Sequence, residues 1–203
     1  MLRSLLLICL LAGSSASAFA QDLLIARPAF RACEGEAFIA LLIARNAMHL
    51  NDTRESLLAN SSTGELQAAT INELFDDMAR TGSKDHGGFA ARKFYQCAKR
   101  EGLGLTENMA GAAVCLARHD IVFFITIDRN KGVPQAEALA RIKRFLGNSS
   151  NAVYPPALID QLVPMIYRVA SMDEDFLLRR LVFETCLFPD DWKAWYEATQ
   201  RGK

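Results

Sequence analysis

Four cysteines, at positions 33, 97, 115 and 186, constrain this chain more than any other feature, because the fifth, Cys9, lies in a segment that does not belong to the fold. Residues 1–20 have the three parts of an export signal: Arg3 at the positive start, a short apolar run from Leu5 to Ala12, and the small-x-small site Ala18-Phe19-Ala20. The run is far shorter than the roughly 20 apolar residues that a bilayer span needs. Cys9 raises a lipoprotein alternative, but Ile8 stands where a small residue would be expected and the cysteine comes too early. The expectation is cleavage after Ala20, a soluble chain from Gln21, no stable membrane insertion, and a periplasmic or secreted location. Four cysteines in an oxidising compartment then read as two disulfides. Zinc is the weaker alternative, since no Cys-x-x-Cys and no tight Cys/His spacing appears.

Which cysteine pairs with which depends on an internal echo. Residues 57–62 read LLANSS and residues 145–150 read FLGNSS. Aligned without a gap from Asn60 and Asn148, the two stretches match again at Ile71/Ile159, Leu74/Leu162 and Arg80/Arg168. The flanks keep step: Cys33 and Cys115 are 82 apart, Arg45-Asn46 and Arg129-Asn130 84, the two phrases 88, and Cys97 and Cys186 89. Offsets that grow slowly are what two copies separated by small insertions would give. A period near 85 exceeds the ~20–50 residues of solenoid repeats, so each copy reads as a small bundle. Four cysteines permit three pairings. The repeat selects Cys33–Cys97 and Cys115–Cys186, each joining the first and last helices of one copy. The rival Cys97–Cys115 with Cys33–Cys186 would join the copies instead.

The hydrophobic pattern supplies the helices. In the first copy they are expected over 32–46, 52–59, 65–81 and 89–100, with Asp52-Thr53-Arg54-Glu55 resembling a capping box and Gly82 a natural stop. Leu66, Ile71, Leu74, Phe75 and Met78 give the third helix one buried face. The second copy is expected over 106–128, 134–146, 157–169 and 171–186, kinked at Pro164, followed by a last helix over 190–200. Residues 121–127, IVFFITI, are β-branched and aromatic and would suit a buried strand. No partner strand is evident, so a helix is expected there too. Arg118-His119-Asp120 interrupts the apolar stretch and argues against a membrane span. The expected fold is all-α: two tandem, duplicated helical bundles, 21–103 and 104–203, packed into one compact disulfide-stabilised domain.

Chemistry is sparse. Removing residues 1–20 leaves 22 Lys+Arg against 23 Asp+Glu, a balance that argues against nucleic acid or a polybasic membrane contact. His49, His86 and His119 are the only histidines and no two are close in sequence. His119-Asp120 is a candidate oriented base for a hydrolase. Asp85-His86, beside Gly87-Gly88, reads as a turn, and Asp173-Glu174-Asp175 suits the positive end of a helix. Arg45, Arg129, Arg80 and Arg168 read as complements to helix C-termini rather than anion ligands. The three Asn-x-Ser/Thr sequons at 51, 60 and 148 read as turns and caps. Trp192, Trp195 and Tyr196 either cap the core or form a partner surface, Trp and Tyr being common interface anchors. The expectation is a non-catalytic protein without cofactor or metal that binds another protein, as an inhibitor, immunity-like or accessory factor does. The alternatives are a hydrolase centred on His119 and Asp120, and a carrier of a small apolar ligand.

Overall fold

The computed structural model describes residues 23–59, 64–146, 156–168 and 172–201. Residues 1–22, where the expected export signal falls, both Asn-Ser-Ser phrases, Gly147 and the proposed cap Ser171 lie outside them. Among the described residues the fold is all helical. A 3-10 turn (Leu24–Ala26) leads into α1 (Pro28–His49), α2 (Arg54–Ala59), α3 (Glu65–Thr81) and α4 (His86–Arg100). Then come α5 (Met109–Asn130), α6 (Gln135–Leu146), α7 (Pro156–Arg168), α8 (Met172–Leu187) and α9 (Pro189–Arg201).

Local chemistry explains most of the boundaries. Pro28 opens α1 at the first helical position, where its missing N–H costs nothing and its fixed φ suits the helix. The cap of α2 is Thr53, one residue after the expected Asp52, its Oγ1 accepting the Ser56 N–H at 3.1 Å; no reciprocal box forms, because Ser56 Oγ donates to the Thr53 carbonyl. α3 runs over the expected span and ends on Gly82 at φ 67°, a left-handed conformation that suits a residue without Cβ. The stretch expected to be a turn at Asp85-His86 is instead the start of α4. Asp85 is its N-cap, with Oδ1 accepting the Gly88 N–H at 2.8 Å, and His86 is its first residue. Gly87 is required for closeness: a Cβ there would stand 2.9 Å from the Ala113 carbonyl oxygen of α5. α7 continues through Pro164 to Arg168.

IVFFITI is helical. Ile121, Val122 and Ile125 are buried on one side of α5, so tertiary burial outweighs the strand preference of β-branched residues. By length and composition α5 could also cross a membrane, with an 18-residue window of mean hydropathy 1.6, so Arg118-His119-Asp120 does not exclude that by itself. Half of that window is buried against the rest of the protein, as in the core helix of a globular fold.

Two hydrophobic clusters result. The first gathers α1, α3, α4 and the N-terminal half of α5 around Phe30, Phe94 and Phe183, all fully buried. Their rings meet edge to face, Phe30–Phe94 at 5.8 Å and Phe94–Phe183 at 5.5 Å between centroids, a geometry that adds to area burial. The second gathers Ile121, Val122 and Ile125 of α5 with apolar residues of α6, α7 and α8. α5 and α8 belong to both clusters. Two disulfides staple this arrangement: Cys33–Cys97 joins α1 to α4, and Cys115–Cys186 joins α5 to α8. These are the pairs the internal echo selects. With sequence separations of 64 and 71, each contributes about 4 kcal/mol in the chain-entropy description.

Candidate functional site

His119 and Asp120 sit side by side in α5, but the fold gives them separate surroundings. The His119 ring stacks on Phe38 of α1, with centroids 3.8 Å apart, and only 6% of the residue is exposed. Its Nδ1 is buried without a protein hydrogen-bond partner. Burial, reinforced by the Arg179 and Arg45 cations, pushes its pKa down to about 3. Asp120 turns to Arg45 of α1, accepting from Nη1 at 2.7 Å, with both side chains nearly inaccessible. Burial raises the Asp120 pKa against the opposing pull of that guanidinium. A general base must reach its substrate and exchange a proton near the working pH. A stacked, buried, neutral imidazole meets neither requirement, and its carboxylate neighbour is held by an arginine instead of orienting the ring.

Arg45 is therefore more than a complement to the end of α1. Its guanidinium lies 4.0 Å from the Phe123 ring centroid, and Arg179 of α8 lies 5.0 Å from the same ring. Cation–π attraction of this kind strengthens as water is excluded. Arg129 does different work, donating from Nη1 to the Ile166 carbonyl at 3.0 Å and so tying α5 to the end of α7. Arg80 makes an exposed ion pair with Asp77 in the last turns of α3.

Two polar clusters went unnoticed in the sequence. In the first, Arg180 of α8 donates from Nε to Glu34 Oε2 of α1 at 2.9 Å and from Nη2 to Glu184 Oε1. Glu34 is 2% exposed, its Oε1 lacks a protein partner, and burial next to the Glu184 carboxylate raises its pKa to about 7. A signal did exist: Glu34 lies four residues after Phe30 and three before Ala37, on the apolar stripe of α1. In the second, the ends of α1 and α4 bring His49 Nε2 to 3.3 Å from His86 Nδ1. Burial lowers the His86 pKa, against the pull of Asp120. Nothing in the sequence pairs two histidines 37 positions apart. Among the described residues no group of three His, Cys, Asp or Glu side chains is arranged to hold a metal ion.

Of the three aromatic residues considered for a partner surface, Trp192 can be placed. It is half-buried on α9, packs against the first cluster and lines a groove of about 380 Å³ between α5, α7, α8 and α9. The side chains of Trp195 and Tyr196, like those of Asp173, Glu174 and Asp175, lie outside the described structure. The groove walls are apolar: Leu158, Leu162 and Met165 of α7 face Leu181 of α8, and Arg118 of α5 lies at the wall. Met165 is 43% exposed, high for a large apolar side chain. The chain matches no protein-family model, and comparison with curated proteins and with solved structures gives no match.

Proposed function

We propose that this protein acts after export, without catalysis, by holding an apolar segment of another protein in the groove between α5, α7, α8 and α9. The observation that carries this reading is the groove itself, with aliphatic walls, Trp192 on one side and Arg118 in the lining. A tryptophan beside an apolar depression, with a charge at its margin, is the composition that anchors protein interfaces. Inhibitors, immunity-like proteins and accessory factors work in this way. Two disulfides are compatible with a periplasmic or extracellular site of action.

The test uses the chain from Gln21 with a photo-crosslinking residue in place of Met165, expressed in its own compartment. One defined protein should crosslink at comparable amounts, and Trp192→Ala should reduce the yield severalfold. A uniform background of products that ignores the Trp192 substitution would sink the proposal. The groove volume also lies within the ~300–1,000 Å³ of small-molecule sites, which favours a carrier of a small apolar ligand as the second reading. Organic extraction of the purified protein followed by mass spectrometry separates the two: a stoichiometric lipid-like species would favour the carrier.

The same proposal includes a history. The two halves, 21–103 and 104–203, are copies of one four-helix unit, the second carrying α9 in addition. In each, a disulfide joins the first helix to the fourth, the first packs on the third, and the second packs on the third. That correspondence supports duplication independently of the sequence echo.

A further inference from the structure

The histidine pair at the meeting of α1 and α4 plays no part in the groove and has a chemistry of its own. His49 closes α1 and His86 opens α4, so the two rings are delivered by helix ends 37 residues apart. Their facing nitrogens, Nε2 and Nδ1, are 3.3 Å apart, and the rings are nearly perpendicular at 87°. The two nitrogens share a hydrogen bond at that distance, and two imidazole nitrogens bound to one tetrahedral zinc at about 2.0–2.1 Å also lie roughly 3.3 Å from each other, so an ion that displaces the shared proton would find two adjacent corners of a coordination shell. The charges around the pair are mixed. The last carbonyls of α1 give the His49 end a partial negative charge, and Asp85 and Asp120 add negative potential at His86, set against Arg45 and the positive N-terminal end of α4 on which His86 sits. His49 is exposed, so water can complete the shell, and no third protein ligand is required.

We propose that His49 and His86 form a two-imidazole chelate for a late first-row divalent cation, Zn²⁺, Ni²⁺ or Cu²⁺, with water in the remaining positions. Imidazole suits these metals, whereas Mg²⁺ and Ca²⁺ take oxygen ligands. Bound there, the ion ties the end of α1 to the start of α4, at the opposite end of those helices from the Cys33–Cys97 bridge.

The test is titration of the folded, oxidised chain with Zn²⁺ and with Ni²⁺, read by calorimetry and by the shift in melting temperature, with Mg²⁺ as control. One ion should bind per chain, with a saturable rise in melting temperature reversed by EDTA and no response to Mg²⁺. His49→Ala and His86→Ala should each lower the affinity at least about tenfold, because each removes the advantage of the second, prepositioned ligand. His49 is exposed, so its variant should fold like the parent, checked by circular dichroism without metal. A parent chain that shows no saturable binding at millimolar Zn²⁺ or Ni²⁺ overturns the proposal. So does binding that survives unchanged in the folded His49→Ala variant.

Discussion

At the scale of single residues, the interior of this protein holds charge that must stay paired. Arg45 and Asp120 are both inaccessible, so removing one strands the other in a medium where an isolated charge is costly. Arg45→Ala should therefore destabilise the fold by about 3–5 kcal/mol in a urea titration, while replacing both partners with apolar residues of similar volume should cost much less. An additive double mutant would show that the pair is not coupled. His119 is the contrast. It enters the fold neutral, stacked and without a protein partner for Nδ1, so His119→Leu should cost under about 1.5 kcal/mol.

The same residues shape the pH dependence, and their signs oppose. Folding holds the His119 pKa at about 3, below its ordinary 6.5, so the folded chain refuses a proton that the unfolded chain accepts. Its stabilising contribution is present above about 6.5 and is lost as pH falls towards 3. Glu34 is raised from 4.5 to about 7, so its contribution is complete below about 4.5 and is lost as pH rises through 7. Between about 4.5 and 6.5 the two contributions offset, so stability should form a plateau there, falling on either side. Melting temperatures measured from pH 2.5 to 9 should show a continued rise to about pH 6.5 in Glu34→Gln and a fall beginning near pH 4.5 in His119→Leu. If both limbs survive both substitutions, other groups control the profile.

At the scale of helices, two glycines separate propensity from packing. Gly35, inside α1, has nothing within 4 Å of an added Cβ, so Gly35→Ala should stabilise by about 0.5–1 kcal/mol through helix propensity alone. Gly87, inside α4, would place its Cβ 2.9 Å from the backbone oxygen of Ala113, so Gly87→Ala should destabilise, the overpacking cost of about 1–3 kcal/mol exceeding the same gain. Thermal melts of the two variants check the opposite signs. Elements of this kind were the legible part of the sequence. The apolar spacing of Ile71, Leu74, Phe75 and Met78 and the stop at Gly82 are local signals, and α3 has the bounds they imply; Leu66, expected on the same buried face, is instead 49% exposed in the first turn. Asp85-His86 misled because Gly87-Gly88 resembles a turn, whereas Gly87 serves a close helix crossing and Gly88 leaves room for the Asp85 cap. The polar contacts were hidden for a different reason. Arg45 meets Asp120 across 75 positions and Glu34 meets Arg180 across 146, and only the packing of α1 against α5 and α8 brings them together.

At the scale of the whole molecule, α5 and α8 run through both hydrophobic clusters, and the Cys115–Cys186 bridge joins them. Phe183 of α8 completes the first cluster while Leu178 and Val182, on the same helix, complete the second. Phe183→Ala should cost about 3–5 kcal/mol and lower the single melting transition of the entire chain. A variant that melts in two steps, one unchanged, would mean that the clusters unfold separately.

The two bridges also have a consequence for biogenesis. Neither loop encloses or crosses the other: Cys33 and Cys97 come first along the chain, and Cys115 and Cys186 follow. A chain threaded into an oxidising compartment with its N-terminus leading presents its cysteines in that order, so an oxidant that joins each newcomer to the one waiting makes the native pairs directly. No bond has to be broken and remade during such ordered entry, whereas the reduced, denatured full chain offers all four cysteines at once with Cys97 and Cys115 nearest in sequence, so its recovery should rise with added disulfide isomerase.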